Sequence, residues 1–356
     1  MRVIITAGGT GGHIYPALAI INKIKEKEPN SEFLYIGTHN RMEKEIIPEK
    51  KIPFESIEIY GVQKKVWKNV NVAFCFVKAY KKCKRLIKQF RPDIVIGAGG
   101  YVTGPVSYAA SHLGYPTFIH EQNSIPGKAN LFLARYATKI GVSFPSTVTK
   151  FPKEKTVYTG NPCSEEAVKK DPLPKETFHL KENKKLVLIV MGSLGSSKMN
   201  QFFSSFLQNV GKKDYEVLWV TGKQDYETLK KETYPKNVVL TAYIPDLTRI
   251  LKNTDLIVSR AGASTLSEII ALKIPAILIP SPYVPNNHQV KNAEDLVQKK
   301  AAMMIEEKDL DEQTLLLAIE DMLKNKQKYI KNLNSFEVTN SALKIYEVLR
   351  DIIDRK

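Results

Sequence analysis

No apolar run in the sequence approaches the ~20 residues that span a bilayer, so no transmembrane segment is expected. A signal peptide is not expected either, because the N-terminus passes straight into the strand-like run Val3-Ile4-Ile5. Cysteine is scarce. Cys75, Cys83 and Cys163 are odd in number and form no Cys-x-x-Cys, which argues against a zinc site or a disulfide framework and suits a reducing cytosol. No Asp-x-Asp motif stands in a loop suited to hold a divalent ion on a diphosphate, so no obligatory metal or other cofactor is expected. Two common nucleotide signatures are also missing. The opening glycines do not read G-x-G-x-x-G, no acidic residue closes the second strand at Gly37-Thr38-His39-Asn40, and no Gly-Lys-Ser/Thr follows.

Positive charge, by contrast, is in surplus. The 356 residues include 53 Lys/Arg and 37 Asp/Glu, a net charge of +16. Residues 1–163 hold 24 basic and 11 acidic residues, whereas the remainder holds 29 and 26. A basic half meets nucleic acid, an anionic membrane or an anionic substrate, unless it is a plain lysine-rich surface. No basic recognition helix or aromatic RNA platform is evident, so nucleic acid is not expected as a partner. The ordinary charged and apolar fractions, 25% and 43%, do not indicate disorder.

The densest signal is Ala7-Gly8-Gly9-Thr10-Gly11-Gly12-His13, between a β-branched strand and a helical pattern. Backbone at such a turn can approach a phosphate closely, and the helix N-terminus adds N–H groups and a positive dipole end. A structural turn needs the glycines but has no need of His13, whose imidazole can act as a general base.

Strand patterns at 2–6, 32–36, 55–59, 94–97, 117–120 and 138–142 alternate with helical patterns at 15–27, 41–48, 70–90, 104–113 and 126–135. That alternation predicts a doubly wound parallel sheet. A break follows at Gly160-Asn161-Pro162, and 170–185 reads as a linker. Strands then recur at 186–190, 216–220, 238–240, 256–259 and 276–279, again with a Gly/Ser turn after the first. Two α/β domains are expected: 1–163, then 164–340, with a C-terminal helix in 341–356 returning to the first. Ligands of such sheets bind at strand carboxyl ends, which places the expected site in a cleft between the domains.

Three further segments carry chemistry. Gly97-Ala98-Gly99-Gly100-Tyr101 is a second glycine turn that can hold a second phosphate-bearing molecule or be structural. His120-Glu121-Gln122-Asn123 offers polar groups for hydroxyls, for orienting a base, or for capping a helix. In Ser259-Arg260-Ala261-Gly262-Ala263-Ser264-Thr265-Leu266-Ser267-Glu268, small residues open a helix and Glu268 lies one turn in. That carboxylate can take both hydroxyls of a ribose, or merely complement the helix dipole.

The segments GGTGGH, GGYVTGP, HEQN, TGNP, MGSLGS, SRAGASTLSE and NNHQ…NA, in this order and spacing, resemble the MurG family of peptidoglycan synthesis. The resemblance covers nearly the whole chain. It implies the GT-B fold, two Rossmann-like domains facing a cleft. It also implies inverting transfer of N-acetylglucosamine from UDP-N-acetylglucosamine to lipid I, giving the β-1,4 bond of lipid II. By the same resemblance Thr10, Gly11, Gly12 and Asn123 lie at the donor's sugar end, Ser193 meets its diphosphate, and Ile244 pairs with uracil. Ala263, Ser264, Thr265, Leu266, Ser267 and Glu268 hold diphosphate and ribose, and Gln289 binds sugar hydroxyls. Gly99, Gly100 and Tyr101 fall to the acceptor's pyrophosphate. One departure is visible: the family commonly has an arginine just after GNP, whereas here Cys163-Ser164-Glu165 follow, leaving Ser164 as a weaker substitute.

An inverting transfer needs a base, for which His13 is the first candidate and Glu121 the second. Helix N-termini near 193–197 and 263–267 can neutralise departing UDP through N–H donors. A lipid-linked acceptor also needs a membrane-facing surface. Between Lys64 and Arg91 there are ten Lys/Arg and no Asp/Glu. Ala73, Phe76, Tyr80, Cys83, Ile87 and Phe90 form a core stripe there. Val66, Val70, Phe74 and Val77 form a second stripe, continued by Lys81, Lys84 and Lys88, with Trp67 suited to the interface. This is the expected peripheral contact with anionic lipid on the cytoplasmic face of the bacterial membrane. Competing readings are another GT-B lipid glycosyltransferase, of diacylglycerol type, and a weakly active paralogue.

Overall fold

In the computed structural model, residues 1–61, 69–192, 195–336 and 340–355 are described. The chain divides into two compact units, Met1–Cys163 with Thr339–Lys356, and Ser164–Val338.

The first unit is a seven-stranded sheet of β1 (Arg2–Thr6), β2 (Glu32–Thr38), β3 (Phe54–Ile57), β4 (Ile94–Gly97), β5 (Thr117–Glu121), β6 (Lys139–Val142) and β7 (Thr156–Tyr158). Its order is β3-β2-β1-β4-β5-β6-β7, and every pairing is parallel. The strands are Val/Ile-rich because both faces are covered. Alternate residues of β1 go to opposite layers. Val3 and Ile5 pack with helices Gly11–Lys27 and Ser341–Asp354, through Ile21, Ile24, Ile345 and Leu349. Ile4 packs with helices Asn69–Phe90 and Thr103–His112, through Ala79, Cys83, Ile87, Val106 and Ala110. The C-terminal helix is clasped by Glu28, which accepts from the Met1 amine at 2.8 Å and from Tyr346 Oη at 3.0 Å.

The second unit is a six-stranded parallel sheet of β8 (Lys185–Val190), β9 (Tyr215–Val220), β10 (Val238–Thr241), β11 (Leu256–Ser259), β12 (Ala276–Leu278) and β13 (Met303–Met304), ordered β10-β9-β8-β11-β12-β13. Val187 and Ile189 face helices Ser197–Gln208 and Glu312–Lys324, whereas Leu186, Leu188 and Val190 face Ala263–Leu272 and His288–Gln298.

Both sheets are Rossmann-like, as expected, with a switch point where the chain reverses direction across the sheet: β1/β4 in one, β8/β11 in the other. Three expectations need correction. The first helix begins at Gly11 rather than 15, because loop packing and the Thr10 carbonyl, which accepts from His13 and Ile14 N–H, outweigh glycine's poor propensity. Residues 170–185 are no free linker: Leu180 is core, Leu173 N–H donates to Arg249 O, and Lys175 Nζ donates to Lys184 O. Ala73 is exposed and the half-buried Phe76 meets Tyr108, so the core stripe of their helix starts only at Ala79.

Candidate active site

At the first switch point two glycine turns lock together. Gly8 N–H donates to Gly99 O at 3.2 Å, and Gly99 O also accepts from Thr103 Oγ1 at 2.8 Å. Gly99 and Gly100 have φ of +101° and +88°. A Cβ on Gly99 would collide with the His13 ring, and one on Gly100 with the Gly8 carbonyl. Glycine is required here by backbone conformation and by close approach of the two turns. The Cβ side of both glycines is thus filled by the protein's own first turn.

His13, half-buried, donates from Nδ1 to Gly8 O at 3.1 Å. A carbonyl can only accept, so Nδ1 carries the proton and Nε2 is the acceptor nitrogen of the neutral ring. Behind the turn stands Glu43, fully buried at the start of helix Glu43–Glu49. Its Oε2 accepts from Gly9 N–H at 3.1 Å, and its Oε1 from Thr38 N–H at 3.0 Å and Thr38 Oγ1 at 2.6 Å. A carboxylate so placed fixes the turn that holds His13.

The His120–Asn123 segment lies deeper. Burial pushes the His120 pKa down to about 4, against a raising hydrogen bond to Gly160 O. Its Nε2 donates to that carbonyl at 3.0 Å, and Nδ1 accepts from Gln122 Nε2 at 3.1 Å. Glu121, 2% exposed, accepts from Asn123 N–H and Nδ2 on one oxygen and from Gly127 N–H and Asn130 Nδ2 on the other, at 2.9–3.2 Å. Four donors make it a clamp for the Asn123–Asn130 loop. Tyr101 stands 60% exposed.

In the second unit an arginine links the switch-point loops. Arg260, directly after β11, donates to Ile279 O at 3.0 Å and Ser196 Oγ at 3.4 Å and pairs with Glu307 at 2.9 Å. The Lys198 and Arg260 cations hold Glu307 below the usual carboxylate range despite its burial. Beyond it, helix Ala263–Leu272 opens on Gly262 with Ala263 and Leu266 buried and Ser264, Thr265, Ser267 and Glu268 half-buried. Ser267 Oγ donates to Ser264 O at 2.7 Å. Burial pushes the Glu268 pKa up to about 8, with Lys170 opposing and Asp246 adding; those two groups pair at 2.9 Å. Gln289 Oε1 accepts from Ser281 N–H at 2.8 Å, so its oxygen anchors the Pro280–Pro282 loop and its NH2 is the group suited to a ligand. Ile244 and Ser164 are buried, and Asn292 Nδ2 donates to Ala261 O at 3.3 Å. Ser193 and Trp67 lie outside the described residues.

Thr10, Gly11, Gly12 and His13 therefore belong to a turn packed against that of Gly99–Tyr101, and Ala263–Glu268 with Arg260 form a second cluster. Sequence reading passed over Glu43 and gave Arg260 no role. The available signals were an acidic residue opening a helix five residues after Thr38, and one arginine in a turn of otherwise small residues.

Known proteins align with this arrangement. The glycosyltransferase family 28 N-terminal domain matches residues 3–142, and the family 28 C-terminal domain matches residues 186–347. The UDP-N-acetylglucosamine--N-acetylmuramyl-(pentapeptide) pyrophosphoryl-undecaprenol N-acetylglucosamine transferase of Bacillus cytotoxicus is 45% identical, covering 100% of both chains. The protein of the same name from Bacillus pumilus is 44% identical, covering 99% of each. Among solved structures, MurG of Acinetobacter baumannii superposes with a TM-score of 0.73 and 26% identity, over 100% of this chain and 99% of that one. With both domain models matched in order and full-length relatives at this identity, the chain belongs to glycosyltransferase family 28.

Proposed function

We propose that the protein transfers N-acetylglucosamine from UDP-N-acetylglucosamine to the muramoyl sugar of lipid I, forming the β-1,4 bond of lipid II with inversion. The observation that carries this reading is full-length 45% identity to a transferase whose name states that donor and acceptor. The geometry of His13 suits the chemistry. With Nδ1–H held by Gly8 O, Nε2 takes the proton of the acceptor hydroxyl as its oxygen attacks the anomeric carbon. The bond to UDP breaks with its electron pair on the diphosphate. N–H groups opening helices Ser197–Gln208 and Ala263–Leu272 neutralise that charge, with no obligatory metal. Glu268 takes the ribose hydroxyls, and Gln289 donates to the sugar.

The acceptor's lipid requires a peripheral membrane face, and helix Asn69–Phe90 supports one. Phe74 and Val77 are 72% and 51% exposed, with Lys81 and Lys88 exposed on the same helix. Lys84 is half-buried, its ammonium 5.6 Å from the Tyr80 ring centre. Tyr108 joins Phe76 to Phe132 by ring contacts of 6.2 and 5.5 Å, extending the apolar surface to exposed Leu131 and Phe132. Apolar side chains edged by lysines are suited to anionic lipid at the cytoplasmic face. Turnover of UDP-N-acetylglucosamine with a lipid I analogue in EDTA, beside diacylglycerol, tests the reading. Lipid I turnover is expected; turnover of diacylglycerol alone refutes the acceptor, and loss in EDTA refutes the metal-free mechanism.

A further inference from the structure

A cavity of about 380 Å³ opens on the first unit between the Gly8–Gly9 turn, the end of β2 and the segment after β3. Arg41 is the one charged residue of its lining. The Arg41 side chain is exposed, and among the described residues its guanidinium has no ion pair or hydrogen bond. The lining is also aromatic and aliphatic: Tyr101 and Tyr60 are 60% and 43% exposed, and Ile59 and Val102 complete it. The Tyr101 ring rests on Gly61, where any Cβ would strike it.

This is a poor cradle for a diphosphate. Both amides of the glycine wall are spent within the protein, Gly8 N–H on Gly99 O and Gly9 N–H on Glu43, and the Glu43 carboxylate stands directly behind them. At its glycine wall a doubly charged group would meet no available N–H and a buried carboxylate, with Arg41 as the one cation of the lining. A single carboxylate on an amide-rich chain fits better. The planar guanidinium takes it through two parallel hydrogen bonds, and tyrosine faces cover the neighbouring peptide groups. The cavity also shares a wall with the turn that holds His13, since Gly8 both lines it and accepts the His13 Nδ1–H.

We propose that this cavity binds the stem peptide of the acceptor, with Arg41 pairing one of its carboxylates, an assignment that rests on the proposed lipid I reaction. The test is steady-state kinetics with three short-chain, water-soluble acceptors: one with the pentapeptide, one with its carboxylates amidated, and one with a capped lactyl group and no peptide. Arg41→Ala should raise the KM of the first at least tenfold, the scale of a lost charge-assisted pair. It should leave the KM of the other two acceptors and of the donor within about twofold. Wild type should itself favour the first acceptor by a similar factor. An equal rise for all three would assign the guanidinium to the diphosphate and overturn the proposal, as would no change for any. Wild type that turns over none of them refutes the reaction and the subsite together, whereas turnover indifferent to Arg41 refutes the subsite alone.

Discussion

Glu268 provides the sharpest test of the donor site, because its protonation state and its proposed ligand conflict. Burial pushes its pKa up to about 8, with Asp246 adding and Lys170 opposing. Two ribose hydroxyls that both donate need a carboxylate with both oxygens accepting. At pH 7 only about a tenth of the unliganded protein has Glu268 ionised, a deficit of about 1.4 kcal/mol against full ionisation. Donor binding must then expel a proton, so affinity rises with pH and flattens above about pH 8. Glu268 keeps some contact with water, which softens the shift, and the neutral acid still accepts one hydrogen bond. The expected gain between pH 6.5 and 8.5 is therefore about 3- to 10-fold in Kd. Calorimetry with UDP-N-acetylglucosamine, whose diphosphate diester does not titrate in this window, should show that gain and proton release that tracks buffer ionisation enthalpy. Glu268→Gln should bind more weakly at pH 8.5 and show neither effect. A wild-type Kd equal at both pH values, with the same heat in both buffers, would refute ionisation of Glu268 against the ribose.

Other expectations concern turnover, stability and membrane contact. His13→Ala should lower kcat by about 10²–10⁴-fold with unchanged donor Kd, and near-normal kcat in stopped assays would end its role as base. Glu121→Gln should act instead on the melting temperature, since it leaves one oxygen for the four donors now shared by two. For His120, held neutral down to about pH 4, the unfolded chain binds the extra proton between pH 6.5 and 4. Stability should therefore fall as pH drops through that window, by up to about 3 kcal/mol, and denaturant melts of His120→Gln should lack this part of the loss. Lys81, Lys84 and Lys88 together replaced by Glu should abolish cosedimentation with anionic vesicles at low salt while donor binding survives. A triple variant that still sediments would make the charge a plain solvated surface.

Much of the architecture follows from local pattern. Short apolar runs such as Val3–Ile5 and Leu256–Val258 alternate with stretches of 3.6-residue periodicity, and that is enough to imply parallel strands, covered faces and two repeats of one plan. Even the glycine turns are visible, because strand, glycine and helix are neighbours in the chain. The partner of each turn is not. Nothing near Gly9 announces Glu43, 34 residues away, and nothing near Arg260 announces Ser196, 64 residues away. Glu121 reads equally as a base or a cap until its four donors are seen around it. Exposure is likewise a tertiary property: Ala73 and Cys83 share one helical stripe, yet only Cys83 meets the sheet. Sequence periodicity reports which residues share a face, whereas hydrogen-bond partners and burial depend on which distant segments the fold brings to that face. The chain alone therefore determined the element order and the chemistry available at each strand end, and the tertiary structure decided which of those groups are tied down and which face solvent.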